Sequence, residues 1–441
     1  MLLPFLCALF AFPLTAQANL EKRLDAAAVY FQPEQIHLSY GENVYEYVVT
    51  WSTRDNTKAS VCKYGVGNLT NIANNKYGPS KFTDGGKAKK TQYIHRVSLK
   101  NLKENTRYIY HCGSALGWSS LYWFKTPPKQ DVWSPSLVIY GDMGNENAQS
   151  LPRLQEEIQM GGIDAILHVG DFAYDMHSLD GTVGDEFMRQ IEAISAYVPY
   201  MVVPGNHEEA YNFSNYKARF SMPGGGKDNL FYSFDMGPVH FIGFSTEVYY
   251  FLQLGLKPLV FQYKWLEEDL RLASLPENRA KRPWIVTFGH RPMYCSNDNG
   301  DDCSHHNTVV RQGLPILGGF GLEELFYRYG VDVEIWAHEH CYERTWPIYN
   351  YIVFNGSASA PYHNPNAPVH IITGAAGNKE GREPFFKNIP KWSAFHSQDF
   401  GYTRFKVFNE THIYFEQVSD DKNGEVIDRI WIVKEKHGPY I

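Results

Sequence analysis

Two hydrophobic rhythms divide the 441-residue chain. From residue 33 to 127, short segments rich in aromatic and β-branched residues recur with turn residues between them: QIHLSY, EYVVTWST, ASVCKYG, QYIHRVSL, TRYIYHCGS and SSLYWFKTPP. Regular strand spacing without amphipathic helices predicts a β-sandwich of immunoglobulin-like or fibronectin type III-like form. The stiff pair Pro127-Pro128 closes it. After Pro135 the apolar runs SLVIY, AILHV, YMVV, WIVTF and VEIWA alternate with helical stretches such as LPRLQEEIQM and EFMRQIEAISAY. Continuous apolar runs suit strands covered on both faces. The tail returns to strand-like runs (VHIITGAAG, YTRFKVF, THIYFEQVS, RIWIVKE) that complete the sheets. The expected fold class is therefore α/β, a layered β-sandwich flanked by helices over residues 135–441, with its strand-rich end at 369–441 and an all-β sandwich domain before it at 30–128.

The amino end, MLLPFLCALFAFPLTAQANLEKR, is apolar up to the small-x-small triplet Ala16-Gln17-Ala18, so residues 1–18 read as a signal peptide. No later segment reaches the roughly 18 apolar residues of a membrane span, and no membrane is expected as a partner once the leader is removed. The cysteines fit an oxidising compartment. Cys295 and Cys303 flank the polar loop SNDNGDDCS and are expected to pair; Cys62 with Cys112 would link two strands of the early module, leaving Cys341 free. The odd cysteine leaves monomer and homodimer both open. Acceptor triplets at Asn68, Asn212, Asn355 and Asn409 are candidates for N-glycosylation. The expected location is secreted or the lysosomal lumen. With 41 basic against 48 acidic residues and a net charge of -7, the chain lacks the basic footprint of a nucleic-acid binder.

Every apolar run of the second half ends in a polar cluster: Gly141-Asp142-Met143-Gly144, Gly170-Asp171-Phe172-Ala173-Tyr174, Gly205-Asn206-His207-Glu208, Gly289-His290 and Ala337-His338-Glu339-His340. Functional groups in open α/β sheets gather beyond the carboxyl ends of strands, so these clusters are expected to converge. Carboxylates, an amide oxygen, imidazoles and a phenol without a thiolate suit Fe, Mn or Zn. Two such ions about 3.5–4 Å apart would clamp a phosphoryl group. Asp171 is best placed to bridge them. A phenol with an ordinary pKa of about 10 loses its proton at acid pH only to a strongly acidic cation, so a ligating Tyr174 implies Fe(III). His168, His95, His111 and His370 lie inside strands and read as core histidines. Glu339 reads as a partner that orients a metal-bound imidazole, and Asp175 as a turn residue.

The ordered set GD-x-G, GD-x-x-Y, GNH-[DE], GH and H-x-H resembles the purple acid phosphatases, within the calcineurin-like metallophosphoesterases, and looks closest to their long-form animal members. The likeness extends over the early sandwich, GHRPMYCS, HEHCYERTWP, HIITGAAG and GYTRFKVFN. It implies a ferric ion on Asp142, Asp171, Tyr174 and His340, and a divalent Zn, Fe or Mn on Asp171, Asn206, His290 and His338. His207 would bind a substrate phosphate oxygen. A second histidine would protonate the leaving alcohol; the insertion NDNGDDC shifts the family spacing and leaves His305 and His306 as alternatives, with His306 preferred. Ala337 stands where many members have Gly. The implied function is an acid phosphatase that hydrolyses phosphate monoesters by in-line attack of a metal-bound hydroxide, with an acidic pH optimum. A phosphodiesterase on the same scaffold is the alternative.

Overall fold

A computed structural model describes residues 28–224, 228–314 and 319–440; the signal-peptide reading at 1–18 lies outside the described residues. The first nine strands are β1 (Glu34–Tyr40), β2 (Tyr47–Thr53), β3 (Ser60–Gly65), β4 (Asn71–Asn75), β5 (Ser80–Thr83), β6 (Thr91–Leu99), β7 (Arg107–Ser114), β8 (Gly117–Trp118) and β9 (Tyr122–Lys125). They form two antiparallel sheets, β1-β2-β6-β5 and β4-β3-β7-β8, with β9 also on β7. Alternation puts Tyr47, Trp51, Tyr110 and Phe124 inside, where Tyr47 stacks on Phe124 at 4.5 Å.

The second half adds β10 (Ser136–Tyr140), α1 (Leu151–Met160), β11 (Ala165–Val169), α2 (Ser178–Ser195), β12 (Tyr200–Val203), α3 (Ala210–Arg219), β13 (Phe231–Met236), β14 (Val239–Phe244), α4 (Lys257–Ala273) and β15 (Trp284–Phe288). After two short hairpins are set aside, α5 (Leu322–Tyr329), β16 (Val333–Trp336), β17 (Tyr342–Thr345), β18 (Val369–Thr373), β19 (Ser393–Ser397), β20 (Gly401–Val407), β21 (His412–Ser419) and β22 (Glu425–Val433) follow. One sheet runs β12-β11-β10-β20-β21-β22, its first three strands parallel and its last three antiparallel. The other runs β13-β14-β15-β16-β18-β17-β19, with β14, β15, β16 and β18 parallel.

The two sheets pack face to face. Phe241 of β14 meets Phe405 of β20 at 6.0 Å, and Thr403 donates to Thr373 across the layers at 2.9 Å. Outside, α2 covers the first sheet through Phe187 against His168, and α5 covers the second through Phe326 against Phe244. The strands are thus apolar on both faces, as their unbroken runs require.

The cysteines separate into two outcomes. Cys295 is bonded to Cys303, closing a loop over a separation of 8 residues. Cys62 and Cys112 remain free buried thiols, against the expected pairing, although they face each other directly across β3 and β7. Cross-strand partners hold their Cβ atoms about 4.5–5.5 Å apart, wider than the roughly 3.8 Å a disulfide favours. Cys341 is also buried and free. Asn68, Asn212 and Asn409 are exposed, whereas Asn355 is half-buried. Three of the four strand histidines are core residues, His95, His168 and His370: His95 bridges Thr53 and Ser60, and burial drives the pKa of His168 well below its ordinary value. His111 is instead half-buried, stacked on Trp118 at 4.4 Å at the edge of the sandwich. Among the described residues, no helix is long and apolar enough to cross a membrane.

Candidate metal centre

The parallel strands of both sheets end on the same side, and each delivers a cluster there. Asp142 follows β10, Asp171 and Tyr174 follow β11, and Asn206 and His207 follow β12; from the other sheet His290 follows β15, while His338 and His340 follow β16. The turns are tight. Asp142, Asp171, Tyr174 and His338 have φ of 56°, 52°, 52° and 70°, a left-handed conformation that costs non-glycine residues about 1–3 kcal/mol each and persists where the surroundings impose it. Gly170, with φ 88°, is needed for approach as well: a Cβ there would stand 2.4 Å from His290 Nδ1. Ala337 fits its wholly buried place beside Gly141.

Two adjoining groups of side chains result. In the first, the Tyr174 hydroxyl lies 3.2 Å from Asp142 Oδ1 and 2.7 Å from His340 Nε2, and the last two atoms are 3.5 Å apart. In the second, His290 Nε2 lies 3.2 Å from both Asp171 Oδ2 and Asn206 Oδ1, and donor atoms of Asp171, His290 and His338 all fall within 4.8 Å of one another. The charge of Asp171 acts on Tyr174 and His340 in one group and on His290 in the other.

Outer contacts aim these donors. The Val169 carbonyl lies 2.8 Å from His290 Nδ1, which turns Nε2 inward. Asp142 Oδ2 accepts from the His338 backbone at 2.9 Å, and Asp171 Oδ1 from that of His207 at 3.0 Å. Buried Glu208 accepts from the backbone of Asp171, Phe172 and Gly205 at 2.9, 3.0 and 2.9 Å, tying two of the turns together.

The electrostatics follow from crowding charge in a buried space. Burial opposes charge on His290, but Asp171 overrides it and lifts its pKa to about 10. Burial likewise opposes charge on His340, which its Asp142 partner lifts to about 9. Burial works against the charged form of Asp171, yet His290 holds its carboxyl far below the usual range. Burial, then Asp142, push the Tyr174 phenol well above its ordinary value. A cation bound here displaces such protons, so its affinity falls as pH falls.

His207 stands beside the pair, its ring 4.5 Å from that of Tyr174, with Nε2 at 4.0 Å from Asp171 Oδ2. Its Nδ1 lies 2.9 Å from Asp175 Oδ1; burial disfavours its charge, but this hydrogen bond raises its pKa to about 9. Asp175, read from sequence as a turn residue, is therefore the partner that orients His207. Glu339 faces the disulfide, 3.0 Å from the Cys303 sulfur, and accepts from Asn299 at 2.7 Å, with a carboxylate oxygen also within 4.8 Å of a His338 ring nitrogen. His305 and His306 are exposed; the His306 ring packs on Tyr351 at 4.0 Å, and among the described residues no polar contact joins either ring to the cluster. Two unforeseen residues reach it: Asp301 Oδ2 and Arg291 Nη1 lie 2.9 and 2.8 Å from His338 Nε2. Arg291 is next to the GH pair; Asp301 sits in the polar insertion that separates that pair from His305 and His306.

Comparison with known proteins identifies the family. Residues 33–126 match the family described as purple acid phosphatase, N-terminal domain, residues 135–342 match calcineurin-like phosphoesterase, and residues 367–429 match iron/zinc purple acid phosphatase-like protein C. The chain is 55% identical over 412 residues to acid phosphatase type 7 of Danio rerio, covering 92% of this chain and 93% of that one. It is 50% identical over 435 residues to acid phosphatase type 7 of Homo sapiens, covering 98% and 96%. Among solved structures, purple acid phosphatase PPD1 from yellow lupin (Lupinus luteus) seeds superposes with a TM-score of 0.73 at 26% identity, covering 91% of this chain and 74% of that one. With matched domains along its length and half-identical relatives spanning it, the chain belongs to the purple acid phosphatase family of the calcineurin-like phosphoesterases.

Proposed function

We propose that the protein is an acid phosphatase that hydrolyses phosphate monoesters at a binuclear centre. The observation that carries this reading is the convergence, from the ends of two sheets, of a Tyr174-Asp142-His340 group and an Asp171-Asn206-His290-His338 group. The donors fit two hard or borderline cations: oxygen and imidazole nitrogen only, with one carboxylate facing both groups. A ferric ion would be held by Asp142, Asp171, Tyr174 and His340, and a divalent Zn, Fe or Mn by Asp171, Asn206, His290 and His338. When bound, such a pair supplies charge neutralisation for the phosphoryl group and an acidified water as nucleophile.

The chain's own residues do the rest. Asp171 offsets charge between the two positions. His207, with Nδ1–H committed to Asp175, is left to present Nε2–H to a phosphate oxygen. The loop that brings Asp301 to His338 also carries the histidines assigned to protonate the leaving oxygen, His306 before His305. Buried Glu208 and the left-handed turns keep the donors in place. The disulfide and the exposed sequons at Asn68, Asn212 and Asn409 support an exported glycoprotein, secreted or lysosomal.

The test is the rate of chromogenic monoester hydrolysis against pH for the full chain and for Asp171→Ala, with metal content measured in both. An optimum below neutrality that disappears in the variant is expected. An alkaline optimum, or turnover of diesters without monoesters, would refute the assignment.

A further inference from the structure

We propose that Arg291 binds a non-bridging oxygen of the substrate's phosphoryl group on the His338 side of the centre, an assignment that rests on the phosphatase reading. Arg291 directly follows His290, and its guanidinium is held from behind. Nε donates to Glu247 at 3.1 Å, a carboxylate with no exposure, and the plane lies 4.4 Å over the Tyr250 ring. Its backbone N–H donates to Thr246 Oγ1 at 2.9 Å, and that hydroxyl donates to Glu247 at 2.9 Å. The Tyr250 hydroxyl is fixed in turn by Asp302 at 3.0 Å. One edge of the guanidinium is thus pinned, while the other, through Nη1, reaches His338 Nε2 at 2.8 Å.

An arginine that served only to neutralise Glu247 would turn two N–H groups of one edge to that carboxylate as a bidentate pair. Here only Nε is used for it, and among the described residues Nη1 has no protein acceptor except His338. The lone pair of His338 Nε2 is the one assigned to the divalent ion, and once it is so engaged Nη1–H needs a different acceptor in the same corner. The corner already holds one anionic oxygen: Asp301 Oδ2 stands 2.9 Å from His338 Nε2. A planar, permanently charged fork with one edge anchored and the other facing the centre matches the oxygens of a phosphoryl group.

The experiment compares the metal-loaded full chain with Arg291→Lys, which keeps a cation against Glu247, and with Glu247→Gln, which keeps the arginine but removes its anchor. Inorganic phosphate is the probe, its Kd measured by calorimetry alongside KM and kcat for a chromogenic monoester and the content of both metals. Arg291→Lys is expected to weaken phosphate binding and raise KM about 10- to 100-fold with both ions retained, and Glu247→Gln to do so to a smaller degree. Unchanged phosphate affinity in Arg291→Lys with both ions present overturns the proposal. Loss of an ion from Arg291→Lys also overturns it, because the arginine then maintains the site rather than the substrate. An unsubstituted chain that holds two ions but turns over no monoester refutes the phosphatase reading instead, and that result is visible before any variant is compared.

Discussion

Tyr174 and His207 lie with their rings tilted against each other at 4.5 Å yet meet opposite electrostatic demands. Burial and then Asp142 resist ionisation of the phenol, so a cation that takes its proton must be strongly Lewis acidic, and a ferric phenolate absorbs visible light. Tyr174→Phe keeps the ring and its packing while removing the oxygen. Its visible band is expected to vanish with the divalent ion still bound; a band that survives the substitution assigns the colour to another ligand. His207 is the reverse case, a group kept charged. Burial opposes its charge, but Asp175 raises its pKa to about 9, so the charged form that the proposed grip on a phosphate oxygen would use is present in full below the ordinary value of about 6.5 and is lost as pH rises through the raised one. Asp175→Asn removes the supporting carboxylate and lowers that pKa, so the alkaline limb of the pH–rate profile should move to lower pH, with kcat/KM reduced about tenfold or more. An alkaline limb that stays in place would mean that His207 does not set it.

The residues proposed for the centre sit on turns rather than within strands, and the strands matter by ending together. Gly170 shows how tight the fit is, since φ of 88° and a 2.4 Å approach to His290 Nδ1 leave no room for a side chain. Gly170→Ala must push His290 off its hydrogen bond to the Val169 carbonyl, so the divalent ion is expected to be lost preferentially and stability to fall by about 1–3 kcal/mol. Metal analysis and denaturant unfolding of the variant check both points, and full retention of both ions would show that the turn can relax. The strands themselves were legible because burial on both faces writes an unbroken apolar run, and the five clusters were legible because each begins where a run stops. The parts that escaped are contacts between loops remote in sequence. Asp175 and His207 are 32 residues apart, Arg291 and His338 are 47 apart, and no periodicity links such pairs. Asp301 was hidden for the same reason, inside a polar insertion whose path is set by the Cys295–Cys303 bond. The free Cys62 and Cys112 were misread because two cysteines on neighbouring strands say nothing of the Cβ separation across the ladder.

At the scale of the molecule, the amino-terminal sandwich braces the helix that leaves the turn carrying Asp171 and Tyr174. The backbone N–H of Ile36 in β1 donates to Glu192 of α2 at 3.1 Å, and the Tyr110 hydroxyl of β7 donates to the Ala196 carbonyl just past α2 at 2.7 Å. Arg219, at the end of α3 and only 1% exposed, joins the parts most directly: its guanidinium donates to Gln35 of the sandwich at 3.1 Å, to Asp185 of α2 at 2.8 Å and to Asn215 at 3.0 Å. A guanidinium that satisfies partners from three segments holds orientation as much as energy. Arg219→Gln fills part of the same space but cannot reach all three acceptors, and it leaves Asp185, which is partly exposed, without its cation. Because that exposure lets water replace some of the lost contact, the expected cost is about 1–3 kcal/mol rather than that of a fully buried pair. The loss should fall on the junction: limited proteolysis should cut faster in the segment around Pro127-Pro128, while the visible band and monoester turnover persist at low temperature. An unfolding midpoint and cleavage rate equal to those of the unsubstituted chain would show that the junction holds without Arg219.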